Sequence, residues 1–346
     1  MGPTLPTPEV ATPEVATLDL PTPDVDEEPT VEQERTVIEG PGPLHPGDAV
    51  PLTGPNAERR TRLRAYVLVT KPRIIELLLV TTVPTMVVAA GGWPSTWLVL
   101  ATLVGGTLSA ASANTLNNLL DRDVDRLMSR TASRPTVRGD VTPRGTLILG
   151  LALGVVGFAW LWLLVDPVAS LIATGAILFY VFVYTLGMKR RTPQAVTIGG
   201  IAGCAPVLTG WAAVTGGDLA DPRPWLLFAI LLWWQPPHFW ALAMRFREDY
   251  ARANLPMLPV AYGNDETTRQ ILLHSYLLLA VVVLSAAGAF PGAVFAVPAV
   301  GATVFWGWLA HRLRRLRTIT EADALFKFST VHLTLVFVVA AVESVL

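Results

Sequence analysis

The chain has 346 residues, 52% of them hydrophobic and only 15% charged, with a mean hydropathy of +0.48. That balance excludes a string of ordinary soluble domains and points to an all-α, polytopic membrane protein. The single Cys204, set in an apolar segment, excludes a disulfide framework and a cysteine-based zinc site, and no nucleic-acid partner is expected.

The net charge of −1 hides a split: residues 1–58 hold twelve acids and one base, Arg35, whereas the remainder is basic. Residues 1–58 are rich in Pro, Thr, Val and acids, with near-repeats such as Thr-Pro-Glu-Val-Ala. So few aromatics and so many prolines cannot bury enough apolar surface to fold, and this stretch is expected to be a disordered tail before a single domain over 59–346. It lacks a basic region followed by an apolar core, so it does not read as a signal peptide.

A basic patch follows, with Arg59, Arg60, Arg62 and Arg64, then Lys71 and Arg73. The first apolar span runs from about Ile74 to Gly91. Eight more centre on Trp97–Leu120, Thr146–Val165, Val168–Met188, Ala195–Val214, Trp225–Met244, Ile271–Phe290, Ala293–His311 and Leu325–Val342. A bilayer core of about 30 Å needs roughly 20 helical residues, so nine transmembrane helices are expected. Alternate connections differ in charge. Those around Trp93, Asp166, Thr215–Pro224 and Pro291 carry only Arg223, whereas the opposite ones hold Arg122 to Arg144, Lys189 to Arg191, Arg245 to Arg269 and Arg312 to Arg317. The positive-inside rule then puts the N-terminus and the basic loops in the cytoplasm and the C-terminus outside.

The second span ends in Asn117-Asn-Leu-Leu-Asp121-Arg-Asp-Val-Asp125. Asn117, Asp121 and Asp125 are four apart, so on a helix they lie roughly on one face along about 12 Å of axis. Carboxylates where a membrane helix meets water are a functional hypothesis by default, and hard oxygens at this spacing suit Mg²⁺, which commonly uses one or two carboxylates plus substrate phosphates. A solvated acidic loop is the alternative. Arg122, Arg126, Arg130 and Arg134 repeat every four residues beside these acids, either as intrahelical ion pairs or as guanidinium forks for a polyanion such as diphosphate. A second polar loop follows the sixth span: His238 comes after Gln235-Pro236-Pro237, and Arg245, Glu248 and Asp249 end the same stretch. His238 either belongs to a site with the arginine and two acids that share its helix end, or is a satisfied polar group that hydrogen-bonds within a proline-interrupted helix.

The ordered set Thr70-Lys71-Pro72-Arg73, Asn117-x3-Asp121-x3-Asp125-Arg126, Lys189-Arg190-Arg191-Thr192-Pro193, Gly210-Trp211 and Pro237-His238-Phe239-Trp240 resembles the UbiA superfamily of intramembrane prenyltransferases over about Arg64 to Leu346. The wording is most similar to its haem-prenylating branch. The resemblance implies a nine-helix bundle around a lipid-open cavity capped on the cytoplasmic side. It implies transfer of a farnesyl group from farnesyl diphosphate to the vinyl group of protohaem IX (haem b), with water addition, giving haem o. By the same likeness Asn117, Asp121 and Asp125 hold Mg²⁺. Lys71, Arg73, Arg126, Arg130, Lys189 and Arg190 form the diphosphate-binding set, and His238, Arg245, Glu248 and Asp249 face the acceptor. Haem a synthase or cytochrome oxidase assembly factors are the implied protein partners, alongside the lipid bilayer. The chain departs from the family at Ala195, where asparagine is usual after Thr-Pro-Gln, and that site is not carried over. A different acceptor, such as a quinone precursor or a chlorophyll-like macrocycle, is the nearest competing reading. A transporter is a third, disfavoured because the acids gather at one membrane face rather than at the midplane.

Overall fold

Proline punctuates the chain where helices begin. In the computed structural model, which describes residues 55–346 with the side chains of 55–60 and 73–79 excepted, Thr142, Asp166 and Asp221 each precede a proline and cap the helix that follows. Their side chains accept from the backbone N–H of Gly145 (3.0 Å), Ala169 (2.8 Å) and Arg223 (2.7 Å). The side chain satisfies one N-terminal donor, and the proline occupies a position that has no intrahelical partner anyway.

The helices are α1 (Pro55–Val69), α2 (Pro72–Ala90), α3 (Thr96–Leu120), α4 (Arg122–Asp125), α5 (Pro135–Arg138), α6 (Pro143–Leu164), α7 (Pro167–Leu178), α8 (Ala195–Thr215), α9 (Pro222–Arg245), α10 (Arg247–Arg252), α11 (Leu258–Ala261), α12 (Gly263–Gly288), α13 (Ala293–Leu316) and α14 (Ile319–Val345). After Leu178, α7 continues without a break as π-helical turns over Phe179–Met188. Among the described residues there is no strand. Eight helices among the described residues are long and apolar enough to cross a membrane: α3, α6, α7 with its π extension, α8, α9, α12, α13 and α14. The chain is a multi-pass integral membrane protein. The ninth expected span corresponds to α2, whose fully described portion, Val80–Ala90, is apolar but short by itself.

The expected disordered tail lies outside the described residues up to Gly54. Its expected end at 58 falls inside α1, which starts at Pro55. Three helices reach further than the apolar runs indicated: α12 begins at Gly263, α13 extends to Leu316 and α14 begins at Ile319. The added turns carry Asp265, Arg314 and Glu321, all in ion pairs, charges that end the apolar run without ending the helix.

The long helices form a ring, α2–α3–α6–α7–α8–α9–α12–α13–α14, and α14 packs back on α2. Small residues bring α3 and α6 together: Ser112 Oγ donates to the Gly150 carbonyl at 2.7 Å, and a Cβ on Gly157 would lie 3.1 Å from that of Leu108. Close backbone approach and interhelical hydrogen bonds replace the hydrophobic drive that lipid does not supply. The main core joins α9, α12, α13 and α14 through buried Leu227, Ile230, Trp234, Ile271, Trp306 and Phe337. The other half of the ring, α3, α7 and α8, is less filled, and a cavity lies there.

Candidate active site

The cavity measures about 340 Å³ and runs from apolar walls, including Ala173 and Ile177 of α7 and Pro206 of α8, to a charged end with Lys71, Asn117, Asp125, Arg134 and Lys189. That end is built on the junction of α3 and α4. Helix α3 stops at Leu120, yet the i→i−4 ladder continues through the break: Asp121 N donates to Asn117 O (2.9 Å) and Asp125 N to Asp121 O (2.8 Å). Asn117, Asp121 and Asp125 therefore keep the shared face that their spacing predicts, and all three are buried.

Each of the three is held by a neighbour from elsewhere in the chain. Asn117 Oδ1 accepts from Lys71 Nζ at 2.9 Å, and its Nδ2 donates to Asp121 Oδ2 at 2.8 Å and to Thr185 Oγ1 at 3.2 Å. Lys189 donates to Asp121 Oδ2. Arg134 Nη1 meets Asp125 Oδ2 at 2.5 Å. Lys189 and Arg134 are thus paired with the two carboxylates while Lys71 bonds the Asn117 amide beside them, and three basic side chains against two acids at the end of an apolar cavity suit a polyanion.

Lys71 reaches this place by a costly route. It joins α1 to α2 in the left-handed conformation, φ 55° and ψ 60°, which costs a non-glycine residue about 1–2 kcal/mol. The following Pro72 also disfavours right-handed helical geometry for it. Two consecutive asparagines of α3 hold the bend, Asn117 through Lys71 itself and Asn118 Nδ2 through the Val69 carbonyl at 2.6 Å. Burial, then the charges of Arg134 and Lys189, push the Lys71 ammonium well below its usual pKa, against the pull of Asp125 and Asp121. Lys189 goes the other way. Burial disfavours its charge, but Tyr184 and the Asp121 carboxylate outweigh that and raise its pKa.

Lys189 is delivered by the π-helical turns, where its backbone N–H donates to Tyr184 O, five residues back, at 2.8 Å. The wider turn sets Tyr180 and Tyr184 against one another, ring centroids 5.1 Å apart, and both line the cavity. Such turns recur at functional sites because they re-aim side chains without breaking the helix. Glycines of α8 make room: a Cβ on Gly199 would collide with the Tyr184 ring, and one on Gly203 would lie 2.5 Å from Gln235 Oε1.

The donor set fits Mg²⁺. Asp121 Oδ1 is buried without a hydrogen-bond partner, with Arg190 Nη2 3.8 Å away. Among the described residues no three histidine, cysteine or acidic side chains gather around one point. Mg²⁺ is commonly held by one or two carboxylates and completed by substrate oxygens rather than by a cage of protein ligands.

Other expected site residues fall elsewhere. Arg126 is exposed and absent from the cavity wall. Arg190 forks onto Asp123 with two contacts of 2.7 Å and donates to Leu120 O, just outside the cavity; the Asp123 carboxyl is held low by that guanidinium. The Arg73 side chain lies outside the described residues. Arg130 does line the cavity. Arg134, only one of the arginine series in the sequence reading, is the one that meets Asp125. Its four-residue spacing from Arg130 was visible, but the turns between Arg126 and Arg134 break the helical register that spacing assumed.

The acceptor-side set also divides. His238 is buried, stacks on Trp234 (4.4 Å) and Phe326 (4.6 Å), and places Nδ1 2.5 Å from Ser329 Oγ of α14. It does not line the cavity, so of its two sequence readings the geometry favours the hydrogen-bonded one. Arg245 is exposed and paired with Asp323 at 3.3 Å, and Glu248 is exposed. Asp249 ties α10 to the loop after α4, accepting from Ser129 Oγ (3.0 and 2.8 Å) and from Arg130 N (3.2 Å). Burial would raise its pKa; the Ser129 hydroxyl, the backbone N–H groups and Arg252 outweigh it and hold the carboxyl low.

A bundle enclosing an apolar cavity with oxygen ligands and surplus cations at one end defines an intramembrane transferase of prenyl diphosphates. The chain belongs to the UbiA prenyltransferase family, whose model matches residues 78–333, and it is a prenyltransferase rather than a transporter. At finer grain, it is 50% identical over 288 residues to the protohaem IX farnesyltransferase of Frankia alni, covering 82% of this chain and 99% of that one. The protohaem IX farnesyltransferase of Clavibacter sepedonicus is 46% identical over 288 residues, covering 82% and 94%. This places the chain among the protohaem IX farnesyltransferases. Solved structures share the fold at low identity. Digeranylgeranylglyceryl phosphate synthase gives a TM-score of 0.68 at 16% identity, over 82% of this chain and 99% of that one. A UbiA homologue from Archaeoglobus fulgidus bound to DMAPP and Mg²⁺ gives 0.61 at 18%, over 80% and 99%.

Proposed function

We propose that the protein transfers the farnesyl group of farnesyl diphosphate to the vinyl group of protohaem IX, with addition of water, releasing diphosphate and giving haem o. The observation that carries this reading is the charged end of the cavity, where Lys189 and Arg134 pair with two buried carboxylates and Lys71 bonds the buried Asn117 amide, beside apolar walls. The acceptor comes from likeness to the protohaem IX farnesyltransferases, which also favours haem over a quinone precursor or a chlorophyll-like ring.

In this reading Asn117, Asp121 and Asp125 hold Mg²⁺, as the neighbour from Archaeoglobus fulgidus is described with Mg²⁺ and a prenyl diphosphate. The ion would supply charge neutralisation on the departing diphosphate. Lys71, Lys189 and Arg134 do the same from the protein. Their charge is worth most when the allylic carbon–oxygen bond breaks and negative charge grows on the diphosphate, so they stabilise the transition state beyond the ground state. The apolar walls keep water from the farnesyl cation until the vinyl carbon attacks. A water oxygen then adds to the cation left next to the ring, and the adduct loses a proton to leave a hydroxyl group. No protein nucleophile is needed. The clamp and basic loops are assigned to the cytoplasmic side and the C-terminus to the outside, on the charge asymmetry of the connections, and residues 59–346 are taken as the catalytic domain.

The test uses membranes containing the protein, supplied with haem b, farnesyl diphosphate and Mg²⁺. Haem o is expected by mass, and it should disappear when Mg²⁺ is chelated. No product where an authentic enzyme makes it would overturn the reading.

A further inference from the structure

One cavity cation is not engaged by the clamp. Lys71, Lys189 and Arg134 are tied to Asn117, Asp121 and Asp125. Arg130 lines the same cavity, yet no acid among the described residues forms an ion pair with it. Its guanidinium instead lies over the ring of Phe246, 5.6 Å from the centroid, at the junction of α9 and α10. The backbone beneath it is pinned, since Arg130 N and Ser129 Oγ both donate to Asp249 of α10. The side chain is thereby committed to the α9–α10 wall rather than to the clamp.

That wall has its own chemistry. Phe239 and Leu242 of α9, Tyr250 of α10 and Met257 line the cavity there, an apolar surface with a single phenol. A guanidinium resting on an aromatic face keeps its N–H edges free, and its planar fork matches a carboxylate with two parallel hydrogen bonds. The cavity thus offers two separate places for anions, a charged clamp and an apolar wall with one free fork at its rim.

We propose that Arg130 recognises a carboxylate on the acceptor and is not part of the diphosphate site. A flat apolar macrocycle lies along Phe239, Leu242 and Met257, and a carboxylate at its edge is held by Arg130. The inference rests on the haem reading above, because haem b is apolar across its faces and carries two propionates on one edge.

The full chain in detergent is titrated, without donor, with zinc protoporphyrin IX and with its dimethyl ester, which lacks the charged carboxylates. Wild type should bind the diacid more tightly than the diester. Arg130→Gln should weaken the diacid by about tenfold, the usual size of a lost charged hydrogen bond, leave the diester unchanged, and keep wild-type affinity for farnesyl thiolodiphosphate with Mg²⁺. Arg130→Lys should recover part of the preference. Equal affinity of wild type for diacid and diester overturns the proposal without any variant. So does an Arg130→Gln protein that loses thiolodiphosphate affinity while keeping the diacid preference. Wild type that binds neither porphyrin would remove the haem reading itself, and this inference with it.

Discussion

Two regions of this bundle bury polar side chains, and they do so for different ends. Around α9, α13 and α14, His238 meets Ser329, His332 Nε2 lies 2.9 Å from Thr303 Oγ1, and the indole N–H groups of Trp234 and Trp306 donate to Ser329 O and Ser275 Oγ. These are pairings between neutral groups on neighbouring helices inside a packed aromatic core. At the α3–α4 junction the groups are charged and cations outnumber acids; a buried polar atom without a hydrogen bond occurs in both regions, Asp121 Oδ1 here and His332 Nδ1 there. Neutral pairs bind helices together in a medium where an unpaired polar group is expensive. An unbalanced charged cluster facing a cavity serves poorly as glue, because its desolvation exceeds what its pairings return until a ligand completes it. Burial of a histidine or an acid therefore does not mark a site; charge imbalance against open space does.

The sharpest way to break that contrast is at the clamp. Asp121→Asn and Asp125→Asn, made separately, should each lower haem o formation by about a thousandfold or more, since each removes a carboxylate proposed to hold the Mg²⁺ that neutralises the departing diphosphate. Near-normal product by mass from either would erase the distinction. Next comes cavity shape. Gly199→Ala sets a methyl group against the Tyr184 ring. It should raise the KM for the prenyl donor by roughly tenfold, the cost of modest overpacking; an unchanged KM would mean the ring has room to give.

In the aromatic region the expected readout is stability. His238→Ala loses the Ser329 contact and two stacked rings, so the thermal midpoint in detergent should fall, by an amount corresponding to roughly 2–4 kcal/mol. A wild-type midpoint with lost porphyrin binding would move His238 from scaffold to site. Between the regions, Asp249 offers a pH test. Its pKa in the folded protein is below the usual carboxylate value, so its tie to Ser129 and Arg130 is complete above the ordinary value of about 4 and is lost as pH falls through the lowered one. Protease cleavage after Arg126 or Arg130 should therefore stay slow at neutral pH, while Asp249→Asn should be cut faster there; equal rates would show that the tie does not order the loop. The smallest effect belongs to Arg126→Ala, expected to change turnover by less than about twofold because an exposed side chain off the cavity wall gives little.

Much of this was legible in the chain. The spans follow from hydropathy over about 20 residues, and the Asn117–Asp121–Asp125 face survives because helical hydrogen bonding runs on through Asp121. The arginines were less readable. Spacing by four left intrahelical ion pairs and guanidinium forks for a polyanion both open; Thr131 Oγ1 donates to the Asp125 carbonyl at 2.7 Å and the segment turns, so Arg126 is exposed while Arg134 comes back to Asp125. No local pattern foretold the π-helical turns that deliver Lys189, nor the bend that brings in Lys71.

Sequence alone determined what depends on short stretches: a polytopic membrane protein, the places of its apolar spans, and a trio of oxygen-bearing side chains on one helical face. Hydropathy and helical periodicity are properties of neighbours along the chain. Only tertiary structure decided which charges serve that trio and whether His238 faces the cavity or the core. Those outcomes rest on contacts across 46 residues for Lys71 and Asn117, 68 for Lys189 and Asp121, and 91 for His238 and Ser329. At such separations a side chain's partner is set by how whole helices pack, and no spacing along the chain encodes it.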